Sequence, residues 1–403
     1  MVETVGERPP SRRSARVLLA VAVVLLAPNM RLVFGSVSPV LADIQRSYGL
    51  SPVMSGALTT GPVLCLGLLA PAAPRLAARW GARLVLTACL VLVAAGAAVR
   101  AVPAALPLFA GTLAAGAAIA VANVLLPGFV RREFPNRIGA MTGVATMLIS
   151  SGSGLASAVT VPVQHWLGGS WQRALGAWAV PAAAAVLVWV LVLLLQGRGK
   201  DSVEVPRLRD SPVWREPVAW KITVFMGVQS LLAYSLIGWL PTLYRDEGLA
   251  AGTAGTMLGI LSVTSVPTAL VVPVLAARAQ RQHWLAVAVV AFSVFGLLGL
   301  LVLPTAAAPL WAALLGLGQG GQLGLPLTLM SLRANTHAHA AAISGMSQSV
   351  GYVLASAGPV LMGVTHSLIG SWDGPVVLLL VLMVPLAVVG YQAGVRPARA
   401  GIS

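Results

Sequence analysis

Acidic residues, histidine, cysteine and lysine are all scarce in this chain: among 403 residues there are eleven Asp and Glu, five His, two Cys and two Lys, Lys200 and Lys221. The acids, Glu3, Glu7, Asp43, Glu133, Asp201, Glu204, Asp210, Glu216, Asp246, Glu247 and Asp373, sit in loops or at the ends of apolar runs. His165, His283, His337, His339 and His366 read as loop residues too. This distribution excludes a proton relay of buried acids and histidines. Cys65 and Cys89 lie inside apolar runs, with no spacing that suits a disulfide or a metal, and read as small apolar residues. His337 and His339 have no cysteine near them and make a poor zinc set. HExxH, GxSxG and Walker A patterns are also missing, so the chain is not read as an enzyme, ATP does not power it, and no cofactor is called for.

What remains is overwhelmingly apolar: 58% of residues are hydrophobic and 9% charged, with a mean hydropathy of +0.88. Runs of about twenty apolar residues, each long enough to cross a bilayer as a helix, recur along the whole length. The expected fold is an all-α integral membrane protein with twelve transmembrane helices, at 16-42, 52-76, 83-101, 107-130, 138-163, 174-196, 217-243, 251-277, 284-304, 309-332, 341-364 and 375-394. The basic N-terminal segment before the first run is kept as part of that first helix, not as a cleaved leader. An even number of spans puts both termini on one side. Of the 26 Lys and Arg, 21 fall on that side, and only Arg46, Arg100, Arg173 and Arg245 fall opposite. The positive-inside rule then makes both termini cytoplasmic. The net charge of +15 therefore reports topology and calls for no nucleic acid. Trp166, Trp171, Trp239 and Trp372, near the opposite ends, fit an interfacial aromatic belt.

The chain repeats. Gly49-Leu50 recurs as Gly248-Leu249, Pro74-x-Leu76-Ala77-Ala78-Arg79 as Pro273-x-Leu275-Ala276-Ala277-Arg278, and Leu126-Pro127 as Leu325-Pro326, each 199 residues later. Three matches at one offset imply two six-helix halves, 1-196 and 217-403, joined by a polar linker, 197-216, that carries mixed charge with Pro206 and Pro212. Parallel halves of this kind hold a ligand between them near the midplane.

Arg31 is the twenty-sixth basic residue, and it sits in the middle of an apolar run with no other charge from Arg16 to Asp43. A guanidinium at that depth costs on the order of 3 kcal/mol, so it must face a wet cavity or a partner. Pro28, Gly35 and Pro39 on the same span are residues that loosen a helix. Amides recur at related depths: Asn29 in span 1, Asn123 in span 4, Gln229 with Tyr234 in span 7, and Gln319 and Gln322 in span 10. Together they make candidate donors and acceptors around one cation, suited to a small anion or a polar planar solute. Asn29 and Arg31 are two residues apart and face one cavity only if Pro28 distorts the turn. Tyr234, Trp239, Phe34, Gln348 and Tyr352 are weaker candidates, read first as packing. So is the small cluster Ser150, Ser151, Gly152, Ser153 and Gly154, which permits close helix contact. Asp43, near the end of span 1, is a candidate for ion coupling.

Twelve spans in two repeats resemble the major facilitator superfamily over nearly the whole chain. That family's basic loop pattern appears as Leu76-Ala77-Ala78-Arg79-Trp80-Gly81-Ala82-Arg83: Arg79, Gly81 and Arg83 match, while Ala78 stands at the aspartate position and Ala82 at an arginine position. The resemblance implies a gate there, weakened by the missing aspartate. Leu26-Ala27-Pro28-Asn29-Met30-Arg31, Ser36-Val37-Ser38-Pro39-Val40-Leu41, Tyr48-Gly49-Leu50-Ser51 and Gly169-Ser170-Trp171-Gln172-Arg173-Ala174 are similar to the cyanate and nitroimidazole transporter group. The resemblance implies a secondary transporter that moves a small anionic or polar planar solute by alternating access in a bacterial inner membrane, as a monomer within the lipid bilayer. A broader drug-efflux transporter and a transporter-like receptor that moves nothing are the alternatives.

Overall fold

The structure, a computed structural model, describes residues 12–197, 212–279 and 281–395. Among the described residues there are fifteen α-helices and no strand: α1 Arg12–Val37, α2 Leu41–Tyr48, α3 Pro52–Leu69, α4 Ala72–Trp80, α5 Ala82–Val99, α6 Ala105–Glu133, α7 Ile138–Trp166, α8 Trp171–Ala177, α9 Ala179–Gln196, α10 Pro217–Asp246, α11 Ala251–Arg278, α12 His283–Val302, α13 Ala308–Leu332, α14 His337–Ile369 and α15 Asp373–Gly394. In lipid the backbone must satisfy its own polar groups, and helices do so within one segment. Eleven helical segments are long and apolar enough to cross a membrane. The twelfth span is α13, 25 residues long, whose glycines and two glutamines make it less hydrophobic than the others.

Three spans are broken where one helix each was expected: 16-42 gives way at Ser38–Val40, between α1 and α2, and two others divide too. Pro71 has no N–H to give and its ring crowds the preceding turn, so 52-76 divides into α3 and α4. The span expected at 174-196 begins earlier, as α8, where the Ser170 hydroxyl accepts the Arg173 N–H at 3.3 Å, and continues as α9. By contrast α1 runs unbroken through Pro28.

The two halves pack by one plan. In the first, α1 lies against α7 and α9, α3 and α5 against α6, and α5 against α9. In the second, α10 lies against α14 and α15, α11 and α12 against α13, and α12 against α15. The repeat also reaches the backbone: Gly49 and Gly248 both take positive φ, 62° and 97°, a conformation that ends a helix and suits a residue without Cβ. The halves meet where α3 runs along α14 and α7 along α11. Most of the linker expected at 197-216 lies outside the described residues.

One expectation about the polar ends needs correction, and Arg100 takes a role that its place at the end of the span 83-101 does not show: it is fully buried. It donates to the Val33 carbonyl at 3.4 Å, the Ser36 hydroxyl at 3.3 Å and the Leu175 carbonyl at 3.2 Å, tying α1, α5 and α8 together. A carbonyl-lined recess solvates its guanidinium in place of water. Of the four tryptophans expected in an interfacial belt, only Trp166 is exposed, and the other three are buried. Trp171 donates to the Ser47 hydroxyl, Trp239 to the Pro359 carbonyl and Trp372 to an Asp246 carboxylate oxygen. A buried indole N–H requires a partner, and each has found one within the protein.

Truncating Arg100 to Ala leaves a cavity at a three-helix junction and removes three bonds from a charged donor. The thermal midpoint of the detergent-purified protein should fall by several degrees, and an unchanged midpoint would show that this junction does not depend on Arg100.

Candidate functional site

A chamber of about 670 Å³, its open side included, lies between the halves, lined by Arg31 of α1, Ser150 and Ser153 of α7, Gln229 and Tyr234 of α10, Ser262 and Ser265 of α11, Gln319 of α13 and Tyr352 of α14, with Ile149, Ile237 and Leu261 among the apolar remainder. A mostly apolar wall with a few polar groups is the usual make-up of small-molecule sites.

Arg31 reaches the chamber because α7 lets α1 come close. A Cβ at Gly152 would stand 2.8 Å from the Pro28 carbonyl oxygen and 3.2 Å from the Arg31 Cβ, so only glycine admits this approach. The half-buried guanidinium donates from Nη1 to the Tyr234 hydroxyl and lies 5.1 Å from the Tyr234 ring centroid and 5.7 Å from that of Phe34. Tyr352 meets Tyr234 edge-on at 6.2 Å. Among the described residues no carboxylate pairs with Arg31, and Tyr234 is its one hydrogen-bond partner. A guanidinium carries five N–H donors. One hydroxyl and two ring faces offset part of the cost of burial, about 1.5–3 kcal/mol for the charged hydrogen bond and about 0.5–2 for a ring face. The other donors are left to the chamber.

The amides divide. Gln229 lines the chamber, its nitrogen bonded to the Met226 carbonyl at 3.1 Å and the Ser230 hydroxyl at 2.6 Å. Gln319 lines it with a buried, unpartnered nitrogen. Gln322 is turned away: it donates to the Val289 carbonyl at 3.1 Å and the Ser293 hydroxyl at 2.9 Å, a tie between α13 and α12. Asn29 is turned away as well, donating to the Leu25 carbonyl at 2.8 Å and facing a small apolar recess beside Cys89 and Ile119. Because α1 is continuous, two residues of helix carry Asn29 through roughly 200° from Arg31. Asn123 is half-buried with its amide nitrogen unpartnered, and it does not line the chamber.

Sequence reasoning missed the hydroxyls. Ser150 and Ser153, and likewise Ser262 and Ser265, stand three residues apart, which places each pair on one helix face. They sit on α7 and α11, one of the helix pairs that join the halves. The small-residue cluster thus both packs and lines: Gly152 admits α1, while Ser153 faces Ser262 at 3.4 Å between hydroxyls.

Asp43 does not line the chamber and lies in a junction between the two halves. There it pairs with Arg46 at 2.5 Å and with Arg245 of α10 at 3.6 Å. Arg245 donates to the Pro39 carbonyl at 3.0 Å, and the Thr242 hydroxyl to the Ser38 carbonyl at 3.5 Å. At the basic end, Arg83 holds Glu133 at 3.2 Å and the Gln196 carbonyl at 2.9 Å. Arg79 lies over Trp80 at 5.5 Å, and Gly81 turns with φ 86°. These Arg83 bonds run within the first half.

A family model described as Major Facilitator Superfamily matches residues 23–356. The chain is similar to a 2-nitroimidazole transporter of Escherichia coli (strain K12), 35% identical over 382 residues that cover 94% of this chain and 96% of the relative. It is also similar to cyanate transport protein CynX of the same strain, 29% identical over 356 residues, 88% of this chain and 91% of the relative. Among solved structures it is similar in fold to a bacterial homolog of the human lysosomal transporter Spinster in an inward-facing and occupied conformation, with a TM-score of 0.76 at 14% identity over 96% of this chain and 97% of that one.

Replacing Tyr234 by Phe keeps both aromatic contacts and deletes the one hydroxyl that orients Arg31. Solute affinity should drop about tenfold, as for loss of a charged hydrogen bond, with the thermal midpoint nearly constant. Unaltered affinity in a titration of purified protein would show that this hydroxyl does not orient the guanidinium.

Proposed function

The chain belongs to the major facilitator superfamily, and on that footing we propose that it is a secondary active transporter for a small anionic or polar planar solute. The observation that carries this reading is Arg31: a cation in a chamber between two helical halves, with one hydroxyl partner and no counter-ion among the described residues. Its free donors suit a carboxylate, a nitro group or a similar electron-rich end. Tyr234 and Tyr352 offer ring faces to a planar body, and Gln229, Gln319 and the chamber serines offer hydrogen bonds around it. The relatives named for 2-nitroimidazole and cyanate support solutes of this size and polarity. A lipophilic cation would meet unscreened repulsion from Arg31 in a low-dielectric chamber, which weighs against broad drug efflux.

The transport cycle follows from the two halves, 1-196 and 217-403, rocking about the chamber. The excess of basic residues on one face supports placing both termini in the cytoplasm of a bacterial inner membrane. With that orientation, the ties from Ser38, Pro39 and Asp43 to Thr242 and Arg245 form the outer gate, and this conformation is closed to the outside. Asp43 then belongs to the gate, where its carboxylate holds Arg245 across the seam. One chain supplies the whole chamber lining, so a monomer suffices.

In proteoliposomes Arg31→Ala should abolish uptake of 2-nitroimidazole or cyanate, whichever the wild type takes up, while the protein stays monodisperse; undiminished uptake would remove Arg31 from the mechanism. Counterflow separates transport from binding alone, since a receptor would bind label without exchanging it across the membrane. Arg245→Ala should open the outer gate more often. With Cys65 and Cys89 replaced by Ala, a cysteine at Ser38 should then react faster with a membrane-impermeant maleimide added outside, and an equal rate would contradict the gate.

A further inference from the structure

Gln319 and Gln322 lie three residues apart on α13 and do opposite things. Gln322 is fully buried and bonded to Val289 and Ser293, the behaviour of an amide that ties helices together. Gln319 is 8% exposed, lines the chamber with Arg31, and has a buried amide nitrogen with no partner. Among the described residues its side chain makes no hydrogen bond. An unmatched buried polar group costs about 1–3 kcal/mol; Gln322 leaves its carbonyl oxygen unmatched but ties its nitrogen to α12, whereas Gln319 ties neither end of its amide to a neighbour among the described residues. The nitrogen is buried in this conformation, so a guest in the chamber meets it once the amide turns. Rotation about the last side-chain torsion is broad and two-fold, so either the N–H or the carbonyl can be presented to a guest.

We propose that Gln319 is a specificity-determining residue that reads a second hydrogen-bonding group on the solute, distinct from the group held by Arg31. The solute class is accordingly narrower than a small anion: a planar ring with an acidic or nitro substituent for Arg31 and a ring nitrogen, N–H or hydroxyl elsewhere on the ring for Gln319. Tyr234 and Tyr352 line the chamber beside the space for the ring. This rests on the reading of the chamber as the solute site, and the two fail separately.

The test compares 2-nitroimidazole with 2-nitrothiophene, which keeps the nitro group and the five-membered ring but has no ring nitrogen, by calorimetric titration of the purified full chain. Wild type should bind the imidazole at least about tenfold more tightly, the worth of one buried hydrogen bond. Gln319→Met, unbranched and close in size, should erase that preference by weakening the imidazole alone; Gln319→Leu provides the same loss should the Met variant fail to fold. Arg31→Ala should weaken both ligands. A preference that survives both Gln319 variants overturns this proposal and leaves the transport reading standing, whereas ligands indifferent to Arg31→Ala overturn the transport reading. Wild type that binds neither ligand, or both equally, also overturns the role of Gln319.

Discussion

One guanidinium must be accommodated within a membrane-spanning bundle, and the arrangement of the helices follows from how that is done. Arg31 is held by a hydroxyl and two aromatic faces in place of a carboxylate. The choice of partner matters. A carboxylate would neutralise the cation and occupy its donors, and the site would become an internal salt bridge. Tyr234 orients the group without cancelling its charge, so an attractive potential for electron-rich solutes persists in the chamber.

Everything around Arg31 serves to place it there. Gly152 gives α1 access to α7, the α7 and α11 contact then sets the depth at which the two halves part, and Arg100 anchors α1, α5 and α8 through Val33, Ser36 and Leu175. In lipid such close approaches replace the hydrophobic effect as the source of helix association, and glycines permit them both within each half and at the seam. The same small residues carry hydroxyls, so one stretch both packs the helices and presents polar groups to a guest.

The fold was largely legible in the sequence because a membrane makes the pattern coarse: apolar runs, basic loops on one face and a repeat at a constant offset each follow from a single constraint. Depth was legible too, and it picked out Arg31, Gln229, Tyr234 and Gln319. Azimuth was not. Asn29 and Gln322 lie at suitable depths but point to other helices, because direction depends on whether a helix stays regular through Pro28 and on which neighbour offers a carbonyl. Ser150, Ser153, Ser262 and Ser265 were hidden for the opposite reason: small residues pack so commonly that their second role shows only when the facing helix is in place. The burial of Arg100 was not legible since the end of a run does not reveal whether its last side chain folds inward.

An experimental structure of the protein with its transported solute bound decides whether the unpaired donors of Arg31 are the seat of the solute. The electron-rich end of the solute should lie against the Arg31 guanidinium, with its ring beside Tyr234 and Tyr352. A solute lodged elsewhere, or an Arg31 turned onto a protein carboxylate with no guest beside it, would refute that role.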